Sequence, residues 1–262
     1  MRRVKPWLLT MAVLASCGNT TGGALIKLPF SVGGVDRTST GPFTFVSAAG
    51  WTVTLQEARL SLGPYYFNVS PPSPAAFRTG VVIVQVTRQA VVDPLDPTLV
   101  EVAGGADGQT GVAVAVEMGL TPPDTSQPAD ASAILCPPPL NQTTCPNEGF
   151  VRGIAVKGAD TVPFAGFVTI DVSQASPQKP AAALLRIIGS FEQALTFTAA
   201  PQGLTLRVDP RPWFDATDFS LLLTSTPGTD GNYTWDNKTT FHSQLLQGVQ
   251  TLTGYNFAVQ PP

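Results

Sequence analysis

Trp51-Thr52-Val53-Thr54-Leu55-Gln56-Glu57-Ala58-Arg59-Leu60-Ser61-Leu62 decides the fold class of this chain. Trp51, Val53 and Leu55 alternate with Thr52 and Thr54. That period of two puts one face of a strand in a core and the other in solvent. Ala58, Leu60 and Leu62 then alternate with Arg59 and Ser61, on the opposite parity. The switch at Gln56-Glu57 predicts a β-bulge, because one extra residue turns every later side chain to the other face. Trp51 is in phase with Val53 and Leu55 and is expected in the core. Gly63-Pro64 predicts a turn, with Tyr65 to Val69 extended beyond it.

The same signal recurs along the chain. Val81 to Val86 is a β-branched apolar run that predicts a buried central strand. Val112, Val114, Val116 and Met118 mark one face of another strand. Gly104-Gly105-Ala106-Asp107-Gly108 predicts its hairpin connection to 99–103. Further strands are expected at Ile26/Leu28/Phe30, Phe43/Phe45, Ile154/Val156, Val168/Ile170/Val172, Leu204/Leu206/Val208 and Tyr255/Phe257/Val259. Residues 181–188 fit a helix or a buried strand equally. Phe241, Leu245 and Val249 recur every four residues, so a short helix is expected there, capped by Thr239 or Thr240 and ended by Gly248. The expectation is an all-β chain: an antiparallel β-sandwich with long loops and at most one or two short helices. It forms a single domain over 24–262. The polar, Pro-rich stretch 121–149 is read as a loop inserted in it, with a linker between two domains as the alternative.

Composition supports a packed fold. Of 262 residues, 43% are hydrophobic and only 13% charged, against a usual charged share of about 25%. With 24 Gly and 25 Pro the chain is turn-rich without being low in complexity. A net charge of −3 argues against nucleic acid as a partner.

The N-terminus points to export. Arg2, Arg3 and Lys5 precede an apolar stretch from Trp7 to Ala15. It is too short to span a bilayer as a helix, which takes roughly 20 residues. Leu14-Ala15-Ser16-Cys17 resembles a bacterial lipobox. That resemblance implies a signal peptide over 1–16, acylation of Cys17 and a short tether over 17–23. Palmitate-type chains on Cys17 would hold the protein at the membrane, since more than one chain makes anchoring stable. Cleavage would remove three positive charges and leave a net −6. Gly18 follows the lipidated position, where an Asp retains lipoproteins at the inner membrane of well-studied Gram-negative cells. The expected location is therefore the cell envelope, outer membrane before inner, with the body facing the periplasm or the exterior.

Cys136 and Cys145 remain after cleavage. In an oxidising compartment they are expected to form a disulfide. A metal site is the alternative, but no His lies nearby and two thiolates leave a tetrahedral shell incomplete. Five Asn-x-Ser/Thr sequons, beginning at Asn19, Asn68, Asn141, Asn232 and Asn237, are read beside a lipobox as a by-product of polar loops.

Catalytic signals are sparse. The sole histidine, His242, excludes any site built on two His ligands and weakens every nucleophile–His pairing. No nucleophile elbow, dinucleotide fingerprint or P-loop occurs. Asp209, Asp215 and Asp218 cluster, but not at calcium-loop spacing, and Arg211 offers Asp209 an ion-pair partner. The expectation is thus no enzyme, no cofactor and no metal. Trp235, between Thr234 and Asp236 in a polar segment, and Tyr233 beside it are the candidate binding surface.

Several segments together resemble bacterial lipoproteins of myxobacterial type. They are Ala49-Gly50-Trp51-Thr52-Val53-Thr54-Leu55 with Ala58-Arg59-Leu60, Leu204 to Asp209, Trp213-Phe214, and Gly248-Val249 to Phe257. More distantly, the layout is similar to periplasmic β-sandwich proteins associated with methanobactin and copper uptake. That resemblance implies an exported, β-rich binding domain. Its copper role would need histidine and a suitable tryptophan environment, so no metal ligand is carried over. The leading expectation is a lipid-anchored, non-enzymatic binding or structural module whose partner is an envelope protein or a glycan. The alternatives are an exported copper-binding accessory protein using His242 with carboxylates or a Trp, and a hydrolase working through paired carboxylates.

Overall fold

A computed structural model describes residues 22–37, 41–71, 80–123, 135, 147–171 and 186–261. Cys17, Cys136 and Cys145 lie outside the described residues, as do the leader, most of the tether and most of the 121–149 stretch. No described helix is long and apolar enough to cross a membrane.

The quoted stretch becomes the hub of the molecule. It begins β4 (Thr52–Asn68), which pairs with β3 (Phe43–Val46), β5 (Val82–Val86), β6 (Ala90–Val92), β9 (Gly111–Leu120) and β10 (Gly149–Lys157). The bulge sits where the parity switched: Leu55 faces Gly153 and Glu57 faces Arg152, leaving Gln56 as the extra residue. Ala58, Leu60 and Leu62 are buried in consequence, as are Val53 and Leu55 before the bulge.

Around this hub β1 (Leu25–Leu28), β8 (Ala106–Gln109), β5, β4, β10 and β11 (Asp160–Val168) lie in that order, with β3, β6, β9 and β12 (Arg186–Phe197) joined to the same sheet. A four-stranded sheet faces it, in the order β14 (Tyr255–Gln260), β13 (Gly203–Val208), β2 (Phe30–Gly34), β7 (Val100–Glu101). All pairings in it are antiparallel except β13 with β2. The two layers meet through aromatic rings: Phe30 on Tyr65 at 5.0 Å and Phe257 on Phe67 at 5.3 Å, both edge-to-face. This is the all-β, sandwich-like architecture expected.

The small sheet covers only half of the long one. Over the first half of β4 the second layer is helical: two 3-10 turns, Arg211–Phe214 and Phe219–Thr224, and the helix α1 (Thr240–Val249). Phe219 is the centre of this half, touching Trp51, Phe164, Phe214 and Phe241 with centroids 5.0–5.9 Å apart. Trp51 is buried, as its phase with Val53 required. Thr239 caps α1, its hydroxyl accepting the His242 N–H at 3.2 Å.

Four local expectations are corrected. Gly63-Pro64, a cis peptide, does not end the strand; β4 runs through it with a register shift between Leu62 and Tyr65. The stretch 99–108 is not a hairpin: β7 joins the small sheet and β8 the large one, so Gly104 and Gly105, both at positive φ, carry the chain between layers. Val112 and Val114 do not share the buried face of Val116 and Met118. Ala113 and Ala115 are buried instead, and from Ala115 to Met118 both faces of β9 are covered. Gly248 lies inside α1, not after it, since a Cβ there would collide with the Trp213 carbonyl. Of the ambiguous 181–188 stretch, the described part from Arg186 is strand.

Candidate functional site

β11 ends the main path of the long sheet and, among the described strands, pairs with β10 alone. An unpaired edge presents alternate N–H and C=O groups that must be covered or hydrated. In β11 and its extension these belong to Pro163, Ala165, Phe167 and Thr169, and Tyr233, Trp235 and His242 meet them between them. Tyr233 N–H donates to Pro163 O at 2.8 Å, and Ala165 N–H donates to Tyr233 O at 3.0 Å. Trp235 Nε1–H donates to Phe167 O at 2.9 Å. Thr169 N–H donates to His242 Nε2 at 3.2 Å. Next along, Ile170 N–H donates to Glu148 Oε2 at 2.9 Å. The two aromatic residues singled out in the sequence and its only histidine therefore line up along one edge.

Trp235 is half-buried and its ring has two neighbours. It packs on Phe241 of α1 with centroids 4.7 Å apart. On the sheet side it lies so close to Gly166 that a Cβ there would stand 2.6 Å from the indole. Glycine at 166 is thus the seat of the ring. Gly166→Ala is expected to lift Trp235 off the sheet and to lower stability by about 1–3 kcal/mol. A red-shifted indole emission together with a lower urea midpoint would show it; unchanged emission would contradict this account of the seat.

Beyond Trp235 the edge ends in a buried polar cluster. Glu148 is 2% exposed and His242 3%, with Asn147 buried beside them. Thr169 Oγ1 donates to Asn147 Oδ1 at 3.1 Å, and Asn147 Nδ2 donates to Leu135 O at 3.0 Å. Burial pushes the Glu148 carboxyl up to about 7, against the pull of the Ile170 N–H. Burial pushes His242 below its ordinary value, against the raising influence of Asp236. An Nε2 that accepts an N–H leaves the ring proton on Nδ1, so the histidine is held neutral. Chemically, successive main-chain N–H groups here hold a neutral imidazole, at Thr169, and a carboxyl raised to about 7, at Ile170.

Other candidate residues do not converge here. Asp209 takes a two-pronged contact from Arg211, with Nε at 2.9 Å from both carboxylate oxygens. Asp218 caps the second 3-10 turn through Ser220, and Asp215 accepts the Ala48 N–H at 3.3 Å. The three aspartates serve three separate local structures. Among the described residues no group of three or more His, Cys, Asp and Glu is placed to hold a metal ion. Glu117, the other buried carboxylate among the described residues, is paired to Arg186 at 3.0 Å. Two shallow grooves occur elsewhere. One of about 700 Å³ lies over β1, β8 and β5, and one of about 540 Å³ lies beside Phe43, under an Arg37 guanidinium 5.7 Å from that ring.

Sequence reasoning missed Glu148 and Asn147. The available signal was a carboxylate immediately before Gly149, where an apolar alternating strand begins. Such a residue sits at the sheet boundary, and only the second layer decides whether it is solvated.

No known protein family and no curated protein matches the sequence. Among solved structures, MbnP from Methylosinus trichosporium aligns over 90% of this chain and 98% of its own, at 12% identity and a TM-score of 0.39. The likeness is weak and assigns no residue a role.

Proposed function

We propose that the protein is a lipid-anchored β-sandwich of the bacterial cell envelope, acylated at Cys17, that acts as a non-enzymatic binding or structural module. It engages an envelope protein or glycan through the segment carrying Tyr233 and Trp235 and through the 121–149 stretch. The observation that carries this reading is the occupation of the β11 edge. His242 Nε2 and Glu148 Oε2 are each engaged by a main-chain N–H, and Trp235 by a main-chain carbonyl. These groups brace a rigid rim. Thr234, Asp236 and Lys238 project from the same segment and are exposed, which suits contact with a partner. A rigid presenting segment lowers the ordering cost of binding.

The experiment is crosslinking in intact cells followed by mass spectrometry, comparing wild type with a Thr234→Arg/Lys238→Glu variant. These exposed changes leave the packed edge intact, so loss of a crosslinked partner is expected with folding unchanged. An unaltered partner set overturns the assignment of this surface. Metabolic labelling with an alkyne fatty acid tests the anchor: wild type is expected to label and Cys17→Ser not, and unlabelled wild type overturns it. Elemental analysis after copper and zinc loading is expected to return metal-free protein; a stoichiometric ion lost in His242→Ala would favour the metal-binding alternative instead.

A further inference from the structure

The opposite edge of the long sheet carries a different surface. β1 is the terminal strand there, and its first residue, Leu25, is 91% exposed. Ala24 is tied to Thr110 by two hydrogen bonds of 2.8 and 2.9 Å, which brings the start of β1 beside β9 and Val112, 45% exposed. Leu25 and Ile26 face Val82 and Ile83 across the open groove of about 700 Å³. At its end Val81, 61% exposed, is bonded through its carbonyl to the N–H of Val69, 40% exposed. Four exposed aliphatic residues thus ring one corner of the sandwich. The groove between them holds one cation and one anion, Lys27 and Asp107, at 4.0 Å from each other. An apolar, locally neutral corner on an acidic protein is the exception that marks a contact surface.

From this we infer that the corner formed by Leu25, Val69, Val81 and Val112 rests on the phospholipid bilayer, seated at the depth of the headgroup–acyl boundary. The inference depends on the lipid-anchored reading, because the position of the anchor selects the occupant. The described chain begins at Gly22, and Cys17 precedes it by a few residues. A fully extended chain spans roughly 3.3–3.6 Å per residue, so Leu25 lies within about 30 Å of an acylated Cys17. The apolar corner is therefore the part of the described body on the shortest leash to the membrane. Among the described residues the groove balances one cation with one anion, which suits a zwitterionic lipid, whereas an acidic body elsewhere is repelled by anionic headgroups. Every apolar side chain placed in the boundary region adds to the grip of the acyl chains and fixes the body's orientation. With this corner down, the β11 edge at the far end of the sheet path is turned away from the lipid.

The test uses the full acylated protein, purified from membranes and reconstituted into phosphatidylcholine vesicles with brominated acyl chains. Leu25→Trp places a reporter in the corner, and Val46→Trp places one on β3, at a residue 70% exposed outside the corner. Both positions are solvent-facing, so neither change disturbs packing. Emission from the Leu25→Trp reporter is expected to fall about twofold in brominated against ordinary vesicles, with the Val46→Trp reporter and the parent unchanged. Equal emission from Leu25→Trp in both lipids, in protein that is acylated and vesicle-bound, overturns the inference while leaving the anchor in place. Wild-type protein that proves to carry no acyl chain at Cys17 refutes the anchor reading, and the inference falls with it. A Leu25→Trp blue shift that depends on protein concentration and not on lipid assigns the corner to a second copy of this chain and also overturns the inference.

Discussion

Trp213→Ala is expected to cost about 3–5 kcal/mol, a large fraction of a single domain's stability. The indole is completely buried in the first 3-10 turn, beneath α1. Gly248 packs directly on its carbonyl, which is why a helix-weakening glycine sits inside α1. Thr217 donates its hydroxyl to the same carbonyl at 3.3 Å, and the indole Nε1 lies 3.2 Å from where a Gly254 Cβ would stand. Removing the ring empties the contact between the helical layer and the turn that leads into β14. The cavity cannot collapse easily, because Gly254 beside the indole carries no side chain to fill it. The urea midpoint should drop accordingly, and His242 should lose its fixed contact with Thr169 as α1 loosens. A loss under about 1 kcal/mol would mean that the helical layer is not part of the cooperative core.

The second large effect is in the pH dependence. A carboxyl raised from 4.5 to about 7 by burial binds its proton more tightly in the folded than in the unfolded chain. Its favourable contribution is fully present below 4.5 and is lost as pH rises through 7. The amount is about 3 kcal/mol across that window. Glu148→Gln keeps an oxygen for the Ile170 N–H and cannot ionise, so the variant should be the more stable protein at pH 8 and the equal of wild type near pH 4. His242 works in the other direction: burial lowers it from 6.5, so stability is lost as pH falls below that value. In Glu148→Gln only this second limb remains, and stability should rise with pH and level off above 6.5. Urea midpoints measured from pH 4 to 8 decide it; a variant that keeps the wild-type slope would place the proton on another group.

What the sequence disclosed follows from what period and parity can encode. The bulge at Gln56 was legible because a parity switch leaves an unambiguous trace in Leu55, Ala58 and Leu60. α1 was legible through Phe241, Leu245 and Val249, all buried. Partnership was not legible. Gly63-Pro64 has the composition of a turn, and it takes β9 and β5 on either side to hold the strand straight through it. The glycines at 104 and 105 announced a reversal but not that the chain changes layers there. The site was half visible. Trp235, Tyr233 and His242 could each be singled out, yet their common line along β11 depends on a parallel bridge between Phe164 and Tyr233, residues distant in sequence. Glu148 was hidden because a single carboxylate before a strand carries no periodic mark.

The parallel pairing of β2 with β13 has a consequence for assembly. The four-stranded sheet joins segments far apart in sequence: Phe30 to Gly34 with Gly203 to Val208 and Tyr255 to Gln260. Synthesis proceeds from the first residue, so Phe30 and Val32 emerge long before the strands that shield them. Closure of this layer waits for β13 and β14, and until both are available the polypeptide offers a sticky, half-made surface. A premature stop anywhere before β14 would leave that surface open for good.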